Sequence, residues 1–130
     1  MSILVPVSIG ELIDKITILE IKNRLISDPI KSKNVKREYD YLCSVLVENN
    51  IGYPSGEMAV LGKDLARVNN ELWLIEDQIR DCERENRFDE RFVQLARSVY
   101  IKNDERASLK YQINCLSGSD LTEEKSYAAY

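Results

Sequence analysis

The chain has 130 residues, of which 44% are apolar and 31% charged, with a net charge of −4. These values predict one soluble domain with a modest core. They argue against a general nucleic-acid binder, because such proteins carry a basic excess. The sequence has no histidine, which removes the commonest metal ligand and general base. We therefore predict neither a metal nor a cofactor.

The cysteines and the apolar runs indicate the compartment. Cys43, Cys82 and Cys115 are odd in number and far apart, so buried reduced thiols are expected rather than a zinc or disulfide framework. The start of the chain has no basic leader, and no apolar run approaches the ~20 residues that span a bilayer. These features predict a cytoplasmic protein that does not enter membranes.

The first two predicted helices follow a short apolar segment at about residues 1–7. The first helix should begin at Ser8, where Ser8-Ile9-Gly10-Glu11 has the form of a capping box. It should end near Ile26, because the residue before a proline is pushed out of the α region at Asp28-Pro29. The second helix is predicted from about Lys33 to Glu48.

The third and fourth helices are longer. The third is predicted from about Glu57 to Arg84, and the fourth begins after an N-cap at Asp89 and ends near Ser117-Gly118. A polar tail of about residues 118–130 should be irregular or loosely docked. A heptad seam identifies the third helix, with apolar residues at alternating intervals of three and four: Met58, Leu61, Leu65, Val68, Leu72, Ile75, Ile79 and Cys82.

These elements predict a single all-α domain, an antiparallel four-helix bundle-like fold with a long, heptad-patterned third helix. The first helix carries two apolar stripes on opposite sides, one through Leu12, Ile16 and Leu19, the other through Ile18 and Ile21. Two stripes indicate either a central helix or one that is buried against a second copy of the chain. We favour the second reading, and therefore predict a homodimer.

Several polar side chains interrupt the apolar faces of the predicted helices. An unpaired buried charge costs several kcal/mol, so two cations, two carboxylates and three amides must meet one another, water or a ligand. Trp73 and Tyr100 lie near these faces, either as aromatics at the edge of the core or as walls of a cleft. The candidate polar pocket comprises Glu20, Asn23, Asn69, Trp73, Glu76, Tyr100, Asn103, Arg106 and Lys110.

Three interpretations of these polar residues remain open. They form an interhelical salt-bridge network, a pocket in which Arg106 and Lys110 receive a carboxylate or phosphate, or a solvent-filled groove. In the second interpretation Glu20 or Glu76 serves as acid or base if burial raises its pKa. The corresponding functions are a non-enzymatic module that binds an anionic small molecule or a partner protein, and a small helical enzyme acting on an anionic metabolite. Helical chorismate mutases have comparable architecture, but their spacing does not match.

Several segments resemble a known family. They include the run from Val5 to Lys22, Asn70-Glu71-Leu72-Trp73, Asn103-Asp104-Glu105-Arg106-Ala107 and the tail Glu123-Glu124-Lys125-Ser126-Tyr127. Together they look like a small family of bacteria and phages that is known only as a domain of unknown function. The resemblance covers nearly the whole chain and implies no reaction, ligand or site residue. Docking of the charged, aromatic tail onto the bundle would close a cleft.

Overall fold

A computed structural model describes all 130 residues and contains four helices and no strand. The prediction of an all-α, four-helix domain is confirmed. The helices are α1 (Ile9–Leu25), α2 (Pro29–Glu48), α3 (Gly56–Arg84) and α4 (Glu90–Ser117). Residues 118–130 follow α4 without regular secondary structure. No helix combines the length and the apolar composition needed to cross a bilayer.

Local capping sets most helix ends where the sequence predicted them. The Ser8 hydroxyl accepts the backbone N–H of Glu11, Asp89 caps α4, and Gly118 ends α4 in the left-handed conformation with φ of 68°. The start of α2 differs from the prediction. Asp28 is its N-cap and Pro29 its first residue, so α2 begins four residues before the predicted Lys33. Proline is well suited to the first helical position, where its missing N–H is not needed.

Helix α1 is the centre of the fold. It packs against α2, α3 and α4, whereas α2 packs only against α1, and α3 pairs with α4. The core forms where Ile13 and Ile16 of α1 meet Leu65, Val68 and Ile113. The chain's own helices therefore cover both sides of α1. The central position of α1 accounts for the burial of Ile21 and the half-burial of Ile18 in the second stripe, and the homodimer remains a prediction.

The second half of α3 and the first half of α4 extend past α1. At 1.5 Å per residue, α3 and α4 are ~42 Å long and α1 is ~26 Å. Hydrogen bonds and ion pairs join α1 to α3 no further than Asn70, and to α4 no earlier than Arg106. Residues 74–100 therefore form a two-helix distal hairpin. At its turn Phe88 and Phe92 pack edge to face, with ring centroids 5.2 Å apart.

Candidate anion-binding site

A buried carboxylate stands at the crossing of α1, α3 and α4. Asp14 is completely inaccessible to solvent and receives Nε and Nη2 of Arg106 at 2.9 and 2.5 Å. Asn69 of α3 donates its amide to Asp14 Oδ1 and to the Thr17 hydroxyl, each at 2.9 Å. Forked pairing and a second donor are what a buried carboxylate requires to offset its lost hydration. Asp14 thereby fixes the position of the Arg106 guanidinium.

Arg106 retains binding capacity beyond this pair. Its Nη1 makes no hydrogen bond to the chain, and 29% of the side chain is exposed. The hydrogen bonds that Arg106 donates to Asp14 raise the pKa of Arg106, against the opposing effect of burial. The guanidinium is therefore a permanent cation with one donor nitrogen directed away from its internal partner.

Lys110 lies one turn along α4 and is shared by two carboxylates. Its Nζ is 2.6 Å from Glu11 of α1 and 2.7 Å from Glu123 of the tail. Burial lowers the pKa of Lys110, but the hydrogen bonds to these two carboxylates outweigh it, so the net shift is upward. The same contact lowers the pKa of Glu123. Lys125 Nζ approaches Glu123 from the other side at 3.6 Å.

The cations surround a small cavity that adjoins a larger groove. The cavity is about 20 Å³, enough for one water molecule, and is lined by Asn103, Arg106, Ala107, Lys110 and Lys125. The groove is about 450 Å³, and Asn103 and Lys125 line both spaces. Its other walls come from α4 and the tail, chiefly Tyr100, Asp104, Tyr127 and Tyr130. No group of histidine, cysteine or carboxylate side chains is arranged to hold a metal ion.

A known family matches almost the full length of this fold. The sequence profile of DUF6165, a family of unknown function, covers residues 3–130. The chain belongs to DUF6165. This confirms the resemblance to an uncharacterised domain. No curated protein and no solved structure matches the chain significantly. The properties of this DUF6165 site therefore rest on its own geometry.

The DUF6165 structure brings five of the predicted site residues together. Asn103, Arg106 and Lys110 line the small cavity, and Tyr100 lines the adjoining groove. Asn69 is 5% exposed and reaches the same cluster through Asp14. The assignment of these residues to a ligand site remains a prediction. The helical periodicity of the sequence predicts the inward positions of Asn69, Asn103, Arg106 and Lys110, whereas Tyr100 lies at the edge of the helix face and is 45% exposed.

Three other residues were expected to point inward, and this expectation was wrong. Glu20 and Asn23 are exposed on the last turns of α1. Glu76 is half exposed and pairs with Arg80 on the surface at 2.6 Å. Glu76 lies on the part of α3 that extends past α1, so its position on the apolar face of α3 does not make it buried. Trp73 is half buried at the base of the distal hairpin and lines neither space.

Glu20 belongs to a different groove. It lies with Tyr53 and Lys63 along a groove of about 360 Å³, and the Tyr39 hydroxyl approaches it at 3.5 Å. Although Glu20 is exposed as a whole residue, partial desolvation of its carboxyl in this groove raises its pKa, against the hydrogen bond from Tyr39 and the charge of Arg24. The raised pKa expected for an acid or base is therefore present, but in a groove that none of the α4 cations lines.

The sequence-based prediction missed the three carboxylates that complete the site. Asp14 had no predicted role at the site, and Glu11 was assigned to a capping box. In the structure Glu11 pairs with Lys15 and Lys110 instead of returning to the backbone of Ser8. Glu123 reaches Lys110 only because the tail folds back along α4, and no periodic pattern predicts that.

Proposed function

We propose that this DUF6165 protein is a non-enzymatic binding module for an anionic ligand, which takes the place of Glu123 at Lys110. The observation that carries the proposal is the position of Lys110 between two carboxylates, one on α1 and one on the irregular tail. The tail carboxylate occupies the site as an external anion would. The function is therefore reversible capture of an anion at Lys110, which pairs with Glu123 in the absence of the anion, while the rest of the tail stays on α4 through the Tyr130–Asp104 hydrogen bond.

The two sides of this contact differ in how firmly they are held. Lys110 is 10% exposed and fixed on α4, whereas Glu123 is 46% exposed on a segment without secondary structure. A partly exposed ion pair of this kind contributes ~0–1 kcal/mol, which a competing anion can match. The cations that remain are already in place, since Asp14 and Glu11 fix them. Such preorganisation lowers the cost of binding.

Titration with acetate, followed by NMR of the backbone and Arg106 side-chain N–H groups, tests this proposal. Acetate at constant ionic strength should shift the signals of residues 103–110. Glu123→Gln should tighten acetate binding about five-fold, because it removes a competitor worth ~1 kcal/mol. Glu124→Gln is the matched control and should leave the affinity unchanged.

Lys110→Met provides the complementary test. It should abolish the acetate-induced shifts while circular dichroism shows an intact helical fold. Unchanged affinity in both Glu123→Gln and Lys110→Met would contradict the proposal, since acetate would then bind elsewhere or by screening alone.

The enzyme alternative has weaker support. It requires an acid or base beside the bound anion, and the two glutamates considered for that role lie elsewhere, Glu20 in a separate groove and Glu76 on the surface. The carboxylates nearest the cations, Asp14 and Glu11, are each engaged in an ion pair. A binding role requires only the cations and needs no free acid or base beside them.

We also propose that the protein forms a homodimer through the distal hairpin. The surface of the chain is 8986 Å², whereas a compact monomer of 15.0 kDa exposes ~7000 Å². Apolar side chains contribute to this excess, and Leu74, Phe88, Val93 and Ile101 of the hairpin region are each more than 40% exposed. A second copy would cover them.

Sedimentation velocity tests the dimer. The expected mass is twice 15.0 kDa. Val93→Glu should shift the protein to the monomer, whereas Val47→Glu, a control on the exposed side of α2, should not. A wild-type chain that stays monomeric at the protein concentration of the NMR titrations would contradict the dimer.

We also propose that the protein is cytoplasmic. All three cysteines are free thiols, and Cys115 is exposed. An exposed free thiol persists in a compartment that keeps thiols reduced. Localisation of a tagged full-length chain tests this directly.

A further inference from the structure

We infer that the ligand is a monocarboxylate with an aromatic ring, its carboxylate at Lys110 and its ring in the tyrosine-lined groove. This inference rests on the proposed function, because it assumes that an anion displaces Glu123. It adds two properties of the ligand to the proposed function: its net charge, and the chemical nature of the part that lies in the groove. Two independent features of the site carry it, the balance of charges around the small cavity and the walls of the groove beside it.

The charge balance selects a single negative charge. With the Glu123 carboxylate displaced, three cations of the small cavity, Arg106, Lys110 and Lys125, face Asp14 and Glu11. Including Lys15, which pairs with Glu11, and Asp104, which lies in the adjoining groove, gives four cations and three carboxylates. One positive charge is then left over, which a carboxylate neutralises and a phosphate dianion exceeds. The group that occupies the site in the free protein is also a carboxylate, so the geometry of the contact is already suited to that group.

The walls of the groove favour a ligand with a planar aromatic ring. Its volume of about 450 Å³ lies within the range of small-molecule sites, ~300–1,000 Å³. Tyr100 and Tyr130 meet edge to face with centroids 5.4 Å apart, and Lys125 Nζ is 5.8 Å from the centre of the Tyr127 ring. These rings offer edges and faces against which a further aromatic ring packs favourably.

Asp104 limits what the far end of the ligand carries. It lies in the groove and accepts a hydrogen bond from the Tyr130 hydroxyl at 2.5 Å. A second carboxylate on the ligand would be repelled by this charge, whereas an uncharged ring or a hydroxyl would not. The site therefore discriminates between monocarboxylates and dicarboxylates.

Competitive NMR titrations of the full chain with acetate, cyclohexanecarboxylate, benzoate and terephthalate test this inference. Benzoate should bind about ten-fold more tightly than acetate, with cyclohexanecarboxylate between them, because ring packing adds to the ion pair. Terephthalate should bind more weakly than benzoate. Tyr100→Leu should remove the advantage of benzoate and preserve acetate binding. Tyr111→Leu, an exposed tyrosine of α4 that lines another groove, is the matched control.

The outcomes separate the two proposals. Equal affinities for acetate and benzoate would overturn the aromatic ligand class and leave anion binding intact. If inorganic phosphate bound more tightly than any carboxylate, the inference of a singly charged ligand would be overturned, and anion binding would again remain intact. No shift with any of these anions at residues 103–110 would overturn both proposals together.

Discussion

Loss of the Arg106 side chain should destabilise this protein far more than loss of an ordinary surface ion pair. In Arg106→Met, Asp14 keeps the amide of Asn69 but loses both charge-assisted hydrogen bonds. Its carboxylate has no access to water, so no solvent replaces the guanidinium. The consequence is an uncompensated charge at the crossing of three helices, where the core has little room to adjust.

The expected magnitude follows from this burial. Removing one partner of a buried pair costs ~3–5 kcal/mol. The free energy of unfolding of a domain of this size is ~5–15 kcal/mol, so the variant should lose a large part of its stability. Asp14→Asn should cost less, because the orphaned Arg106 is 29% exposed and keeps some hydration. In the double variant the two losses should not add, with a coupling energy of ~2 kcal/mol.

Urea denaturation followed by circular dichroism measures these differences. The control is Arg80→Met, which breaks the Arg80–Glu76 pair on the surface of α3. Its N–O distance, 2.6 Å, is almost the same as the 2.5 Å between Arg106 and Asp14, but 64% of the Arg80 side chain is exposed. Its loss should cost less than about 1 kcal/mol. If Arg106→Met and Arg80→Met lowered the free energy of unfolding equally, burial would not determine how much an ion pair contributes to stability, and the reasoning would be refuted.

Three further changes test the junction of α1, α4 and the tail. Gly10→Ala should lower the free energy of unfolding by ~1–3 kcal/mol, because the added Cβ would lie 2.5 Å from a backbone oxygen of α4; Gly52→Ala, with an ordinary contact at 3.5 Å, should be nearly neutral in the same urea assay. Asn114→Ala should cost ~1–3 kcal/mol, since it leaves the buried N–H of Gly10 without its acceptor at 2.7 Å. The lowered pKa of Glu123 means that its ion pair with Lys110 is fully present above the ~4.3 of a free glutamate and is lost as pH falls through the lowered value. NMR of the Glu123 and Lys110 amides should show this loss in wild type and Glu124→Gln and no such titration in Glu123→Gln, whose tail stays on α4 through the Tyr130–Asp104 hydrogen bond.

Local sequence signals were sufficient for most helix ends. Ser8, Asp89 and Gly118 each act within one turn of the backbone they cap, so their roles do not depend on the rest of the fold. The Asp28-Pro29 pair shows where such reasoning falls short. It was read as the end of one helix, yet in the structure it also begins the next, because the same residues satisfy both conditions.

Burial was harder to predict than periodicity. The helical repeat correctly placed Arg106 and Lys110 on the inner face of α4, but it also placed Glu76 on the inner face of α3. The difference lies in helix length, since α1 is too short to cover the second half of α3. A repeat identifies the side of a helix that faces its neighbours, and only the assembled fold determines how far those neighbours extend.

One sequence feature does point to the buried acid. Gly10, Asp14, Thr17 and Ile21 follow one another at intervals of four, three and four residues, and all four are buried. At ~100° per residue they fall on one sector of α1, opposite the stripe through Leu12, Ile16 and Leu19. A glycine that allows close approach, followed by an acid and a hydroxyl in a buried stripe, predicts a helix crossing whose acid needs a cation from another helix. Arg106 is that cation, and Lys110, one turn further along α4, pairs with Glu11 at the same crossing of α1 and α4.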